Sequence, residues 1–177
     1  MSSFRIFIAG LIAAAVSAAA IAGPPLPIVP MVGSDAEPFQ GYDQICGMPI
    51  LETKVNELAR AMRDTRGDPV IVLDPLLRLP GHEARRVFLI AHECAHHVLG
   101  HTERKMILAR SKDPAVVRDQ ELSADCWAAE TLAAAGEDEA VRLIMEDFFR
   151  QGAIEPGRGY PSGLNRSRII LQCSGLG

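Results

Sequence analysis

The sequence predicts one helix-dominated α+β domain with a small sheet. Three observations carry this. The chain has 177 residues, enough for one well-formed core and too few for two. Apolar residues recur at helical spacing in most of the stretches between turn signals. A single short β-branched run, "PVIVLD" at 69–74, reads as a strand.

The N-terminus reads as a targeting segment and not as part of the fold. Arg5 precedes an apolar, alanine-dominated run from Ile6 to Ala19, and Ala20-Ile21-Ala22 supplies small residues at the positions signal peptidase favours. Residues 1–22 therefore read as a secretory signal peptide cleaved before Gly23. The run is shorter and richer in alanine than the roughly 20 strongly apolar residues of a spanning helix, so an uncleaved anchor is the weaker alternative. Extracytoplasmic residence follows, with the periplasm as the compartment and no stable membrane anchor after cleavage. The whole chain carries a net charge of −4. It has no dense run of Lys and Arg, so nucleic acid is a poor partner.

Residues 23–49, with "GPPLPIVPMVG", read as an extended Pro- and Gly-rich arm, and the domain proper as residues 50–177. "ETKVNELARAMRDTRG" places Val55, Leu58, Ala59 and Met62 at helical spacing, with Gly67 as a stop. After the strand at 69–74, Leu79-Pro80-Gly81 turns the chain into a helix from about His82 to Leu99. Asp113-Pro114 starts the next helix, because Asp caps free amides and Pro is tolerated in the first turn. That helix runs to about Ala135, and Gly136 ends it. "EDEAVRLIMEDFFRQG" is an amphipathic helix with Val141, Ile144, Met145 and Phe148 on one face, and "YPSGLNRSRIILQC" ends in a short helix.

Four of the five histidines fall within "AHECAHHVLGH", residues 91–101. Each helical residue advances about 100°, so His92 and His96 project from nearly the same face and both imidazoles can bind one Zn²⁺. Glu93 sits between them, placed to touch a bound water without being a ligand. This is the H-E-x-x-H arrangement. A catalytic zinc needs a third protein ligand and an open fourth position. The metzincin spacing fails, since Leu99 and Thr102 stand where Gly and His are required. "QELSADCWAAE" offers Glu121 to complete a His₂Glu set. Asp125, one turn later, can accept a hydrogen bond from the outer nitrogen of a ligand histidine. His97 and His101 read as helix-surface or capping residues and His82 as a residue at the helix start. Trp127 reads as core.

H-E-x-x-H followed by E-x-x-A-D resembles the gluzincin zinc metallopeptidases, above all compact, minigluzincin-like members similar to the ImmA/IrrE-like and HtpX-like catalytic domains. The likeness spans roughly residues 70–135, with a looser extension to "YPSGLNRSRI". It implies a zincin-like core with a small sheet and two metal-bearing helices. It also implies that His92, His96 and Glu121 hold zinc, that Glu93 is catalytic and that Asp125 supports the site. HtpX-like enzymes carry transmembrane helices, and no stretch after residue 22 reads as one.

The expected activity is that of an exported zinc-dependent endopeptidase acting on peptide or protein substrates, with a zinc-activated water and Glu93 as general base. A donor for the developing oxyanion is needed as well. Arg166 is evenly balanced between that role and a structural brace, whereas Tyr160 and Arg158 read as ordinary side chains. The strand at Val70–Leu73 offers an edge on which a peptide could add. The competing class is a non-catalytic zinc-stabilised binding or adaptor module.

The four cysteines, Cys46, Cys94, Cys126 and Cys173, suggest two disulfides in an exported chain. Cys94 and Cys126 each turn away from the metal face, so each is expected to anchor a terminal segment. Cys46–Cys94 with Cys126–Cys173 is favoured, and Cys46–Cys126 with Cys94–Cys173 comes next.

Overall fold

The computed structural model describes residues 43–177. The expected signal peptide and the arm up to residue 42 lie outside the described residues. Element order is β1 (Ile50–Glu52), β2 (Ala59–Arg63), β3 (Pro69–Leu73), a 3₁₀ turn (Pro75–Arg78), α1 (Glu83–Val98), α2 (Arg104–Arg110), α3 (Pro114–Ala135), α4 (Asp138–Gln151) and α5 (Gly163–Ser174). The fold is helix-dominated α+β. No helix among the described residues is long and apolar enough to cross a membrane.

The helix expected over residues 52–67 does not form. Its second half is β2, antiparallel to β3 in the register Ala59↔Leu73 to Arg63↔Pro69. β3 explains the change. Val70, Ile71, Val72 and Leu73 are all buried, so their backbone groups need ladder partners on both sides. The preceding segment meets that need through a hairpin. Asp64 Oδ1 accepts from the amides of Arg66 and Asp68, and Gly67 takes φ +90°. The glycine read as a helix stop is thus a turn residue.

β1, which the sequence did not announce, pairs in parallel on the other side, giving the order β1-β3-β2. β3 is therefore central and has no free edge for a substrate, contrary to expectation. The edges belong to β1 and β2. Residues 43–49, read as the end of an extended arm, form a turn. Buried Asp43 accepts there from the amides of Ile45, Cys46 and Met48.

α1 lies between the sheet and the other helices. Against the sheet it packs Ile90 and Cys94 with Ile50, Ile71, Leu73 and Leu77. Its opposite side sets Phe88 and Ala91 among Ala128, Ala129 and Leu132 of α3, Val141 and Ile144 of α4, and Ile170 of α5. Ala124, Ala128 and Ala129 are wholly buried, and their small side chains let α3 approach α1 closely. The α3 boundaries follow local chemistry: Asp113 Oδ1 accepts from the Ala115 amide, and Gly136 ends the helix at φ +81°. At Gly163 a methyl group would stand 2.3 Å from the Phe148 carbonyl oxygen, so the α4–α5 contact requires glycine.

Two disulfides tie the ends to this frame: Cys46–Cys94 and Cys126–Cys173. The first joins the turn before β1 to the sheet side of α1. The second joins α3 to α5.

Candidate metal centre

α1 presents His92, Glu93 and His96, and α3 faces it with Glu121 and Asp125. All five are buried despite their polarity. His92 Nε2 lies 3.1 Å from His96 Nε2 and 3.4 Å from Glu121 Oε2, and His96 Nε2 is 3.8 Å from Glu121 Oε1. These donors converge on one point. A tetrahedral ion with bonds of about 2.0–2.1 Å separates neighbouring donors by roughly 3.3–3.4 Å, so the spacing suits zinc. The chemistry suits it too, since two imidazoles and a carboxylate form a familiar zinc-binding set.

The electrostatics favour positive charge in the same cluster. Burial opposes a charge on His92, yet the carboxylates of Asp125 and Glu121 beside it outweigh that and lift its pKa to about 10. Burial, reinforced by His92, pushes His96 down to about 3. Glu121 is held well below the usual carboxylate range: burial works the other way, but His92, His96 and Arg166 prevail. The cluster thus retains one positive charge between two histidines and a carboxylate. A divalent metal can supply that charge.

Glu93 stands beside this group without belonging to it. Its Oε2 accepts a 2.6 Å hydrogen bond from the Ala61 amide of β2. Burial pushes its pKa up to about 6, toward the range useful to a general base at neutral pH.

The supporting groups differ from ligand to ligand. Asp125 Oδ1 is 2.9 Å from His92 Nδ1. The contact lies off the line of a good ring N–H hydrogen bond, since His92 Nδ1 finds no aligned partner. Charge attraction therefore carries it. Arg166 donates from Nε and Nη2 to the two Asp125 oxygens at 2.7 Å and stacks 4.0 Å over the Phe148 ring. Of the two readings left open for Arg166, this geometry favours the brace over the oxyanion donor.

Arg110 had not been anticipated. It comes from α2, also unforeseen, and donates to Glu121 Oε1 at 2.7 Å and to the Tyr160 hydroxyl at 2.8 Å. Tyr160 therefore belongs to the neighbourhood of the site, whereas Arg158 is an exposed loop residue at φ +54°. No fixed sequence spacing announces Arg110, because only the packing of α2 brings it to Glu121.

Of the other histidines, His97 departs from the expectation. His97 is not a surface residue. It is buried, with Nδ1 3.0 Å from Thr102 Oγ1 and Nε2 3.1 Å from the Val70 carbonyl, and it ties α1 to β3. His101 Nδ1 lies 3.0 Å from His96 Nδ1. His82 occupies the N-cap of α1 without a capping side-chain bond. Trp127 is partly buried against the sheet-side core.

Residues 53–117 match the family model of peptidase family M48. The match supports a zinc metallopeptidase family for this chain. It contains His92, Glu93 and His96 and stops short of Glu121 and Asp125, so the third donor rests on the geometry above. No curated protein and no solved structure matches the chain.

Proposed function

We propose that the protein is an exported zinc-dependent endopeptidase, a compact gluzincin-type enzyme akin to the ImmA/IrrE-like and HtpX-like catalytic domains. One observation carries the reading. Three donors suited to zinc converge in a buried site, while a carboxylate with a raised pKa stands beside them and outside the set. A purely structural zinc has no use for such a neighbour and would normally close its fourth position with a protein ligand.

His92, His96 and Glu121 would hold the ion. When bound there, zinc supplies Lewis acidity, easing ionisation of water and polarising a peptide carbonyl. Glu93 accepts the proton of the attacking water as its oxygen bonds to the carbonyl carbon. It then delivers that proton to the amide nitrogen as the C–N bond breaks. The Tyr160 hydroxyl and Arg110 guanidinium, hydrogen-bonded together beside Glu121, are candidate donors for the developing oxyanion.

Substrate would lie along β2. The Ala61 amide points away from β3 toward Glu93, so the outer edge of β2 runs past the site. An extended peptide pairing with that edge brings a backbone carbonyl near the donors. The two disulfides suit an oxidising compartment, and with the signal-like residues 1–22 they support residence in the periplasm.

The test incubates zinc-replete mature protein, and its Glu93→Gln form, with extracytoplasmic protein extract, and identifies new termini by mass spectrometry. Wild type should generate termini and hold one zinc. Glu93→Gln should keep the zinc and cut at least about 100-fold more slowly. Cleavage at the wild-type rate by Glu93→Gln would overturn the mechanism. Zinc binding with no new termini from either protein would favour the binding-module reading.

A further inference from the structure

We propose that His101 is a positioning residue, held by the C-terminal cap of α1, that fixes His96 as a metal ligand. The proposal rests on the zinc reading above.

A histidine that ligates through one ring nitrogen normally donates the other N–H to an acceptor, which sets both its tautomer and its orientation. At His92 the group beside the outer nitrogen is the Asp125 carboxylate, 2.9 Å away and held by charge attraction. His96 turns Nε2 toward His92 and Glu121, which leaves Nδ1 as its outer nitrogen. The group at Nδ1 is not a carboxylate but the Nδ1 of His101, 3.0 Å away. The two rings meet edge to face, with centroids 5.1 Å apart. Such a pair requires one N–H and one bare nitrogen. Ligation through Nε2 puts the His96 proton on Nδ1, so His101 must accept there and carry its own proton on Nε2.

The backbone explains why His101 is at this place. Helix α1 ends in a Schellman arrangement, in which Gly100 takes φ +74°. The His101 amide donates to the His96 carbonyl at 2.8 Å, and the Gly100 amide to the His97 carbonyl at 3.0 Å. This cap brings the side chain three residues past the end of the helix against one in its last turn, a contact that is frequently apolar. Here the two side chains are His101 and His96. The turn that stops the helix thereby delivers a hydrogen-bond acceptor to a ligand. His101 itself lies on the far side of the His96 ring from the three converging donors and is not one of that group, so it acts through His96.

The two ligand histidines are consequently held by unlike partners. His92 leans on a buried anion neutralised by Arg166, and His96 on a neutral imidazole fixed by a helix cap.

The experiment measures zinc affinity by competition with a chromogenic chelator for wild type, His101→Ala, His101→Leu and His101→Asn. The thermal midpoint of each chelated protein provides the control for folding. Ala and Leu should weaken zinc binding about 10- to 100-fold, the usual range for loss of such a partner. Asn, whose Oδ1 falls close to the position of the histidine Nδ1, should restore most of it. In the zinc-bound wild type, long-range ¹⁵N spectra of the imidazoles should show His101 protonated on Nε2. Wild-type affinity in both Ala and Leu variants, or an Nδ1-protonated His101, would overturn the proposal while leaving the zinc centre intact. A wild-type protein that binds no zinc would instead overturn the centre, and this role with it.

Discussion

Replacing Glu93 by Gln should stabilise the metal-free fold even as, on the proposed mechanism, it slows peptide cleavage at least about 100-fold. Glu93 is buried, and burial raises its pKa from 4.5 to about 6. A raised carboxyl pKa means that folding favours the protonated form. The associated stability is therefore present below about pH 4.5 and is lost as pH rises through about 6. At about 1.4 kcal/mol per pKa unit, the ionised carboxylate costs the wild type about 2 kcal/mol at neutral pH. Glutamine never ionises, and its amide oxygen can still accept from Ala61. The assay is urea unfolding in chelator under non-oxidising, non-reducing conditions, at about pH 7.5 and about pH 4.5. Comparing two pH values cancels any pH-independent effect of the amide. Glu93→Gln should gain about 2 kcal/mol over wild type at the higher pH relative to the lower. This corresponds to a rise of about 4–8 °C in midpoint for a domain of this size. Equal differences at the two pH values, or a larger gain in acid, would refute the argument that burial strains this carboxylate.

Two further outcomes follow from the supporting structure. Arg166→Met leaves the wholly buried Asp125 without its guanidinium partner. It should cost about 3–5 kcal/mol in urea unfolding, the range for breaking one half of a buried pair, and pairing it with Asp125→Asn should recover part of that loss. Replacing both Cys126 and Cys173 by Ser opens a loop of 47 residues' separation and should lower stability by about 4 kcal/mol in the chain-entropy account. Zinc should then leave together with unfolding during a thermal ramp. Loss from a still-folded protein would place the disulfide closer to the site than the structure does.

Local chemistry made much of this protein readable from its sequence. His92 and His96 share a helical face because of the 3.6-residue repeat, and α3 starts at Asp113-Pro114 and stops at Gly136 through capping rules that act within a few residues. The alternation of cysteine faces on α1 and α3 similarly favoured the disulfide pairs that the structure contains. Contacts between distant segments were decided elsewhere. The segment around Ala59–Arg63 carries a helical pattern, yet it forms a strand because buried β3 needs a second ladder, and a long-range demand of that kind outweighs weak local propensity. That pairing also moved the open sheet edge from β3 to β2 and brought the Ala61 amide to Glu93. Arg110 reaches Glu121 only because α2 packs beside α3, and Arg166 meets Asp125 across forty-one residues. The sequence by itself determined which side chains could bind a metal and act on water. Tertiary structure decided what holds each of them in place, because their partners are chosen by packing across the core and no periodicity encodes such distances.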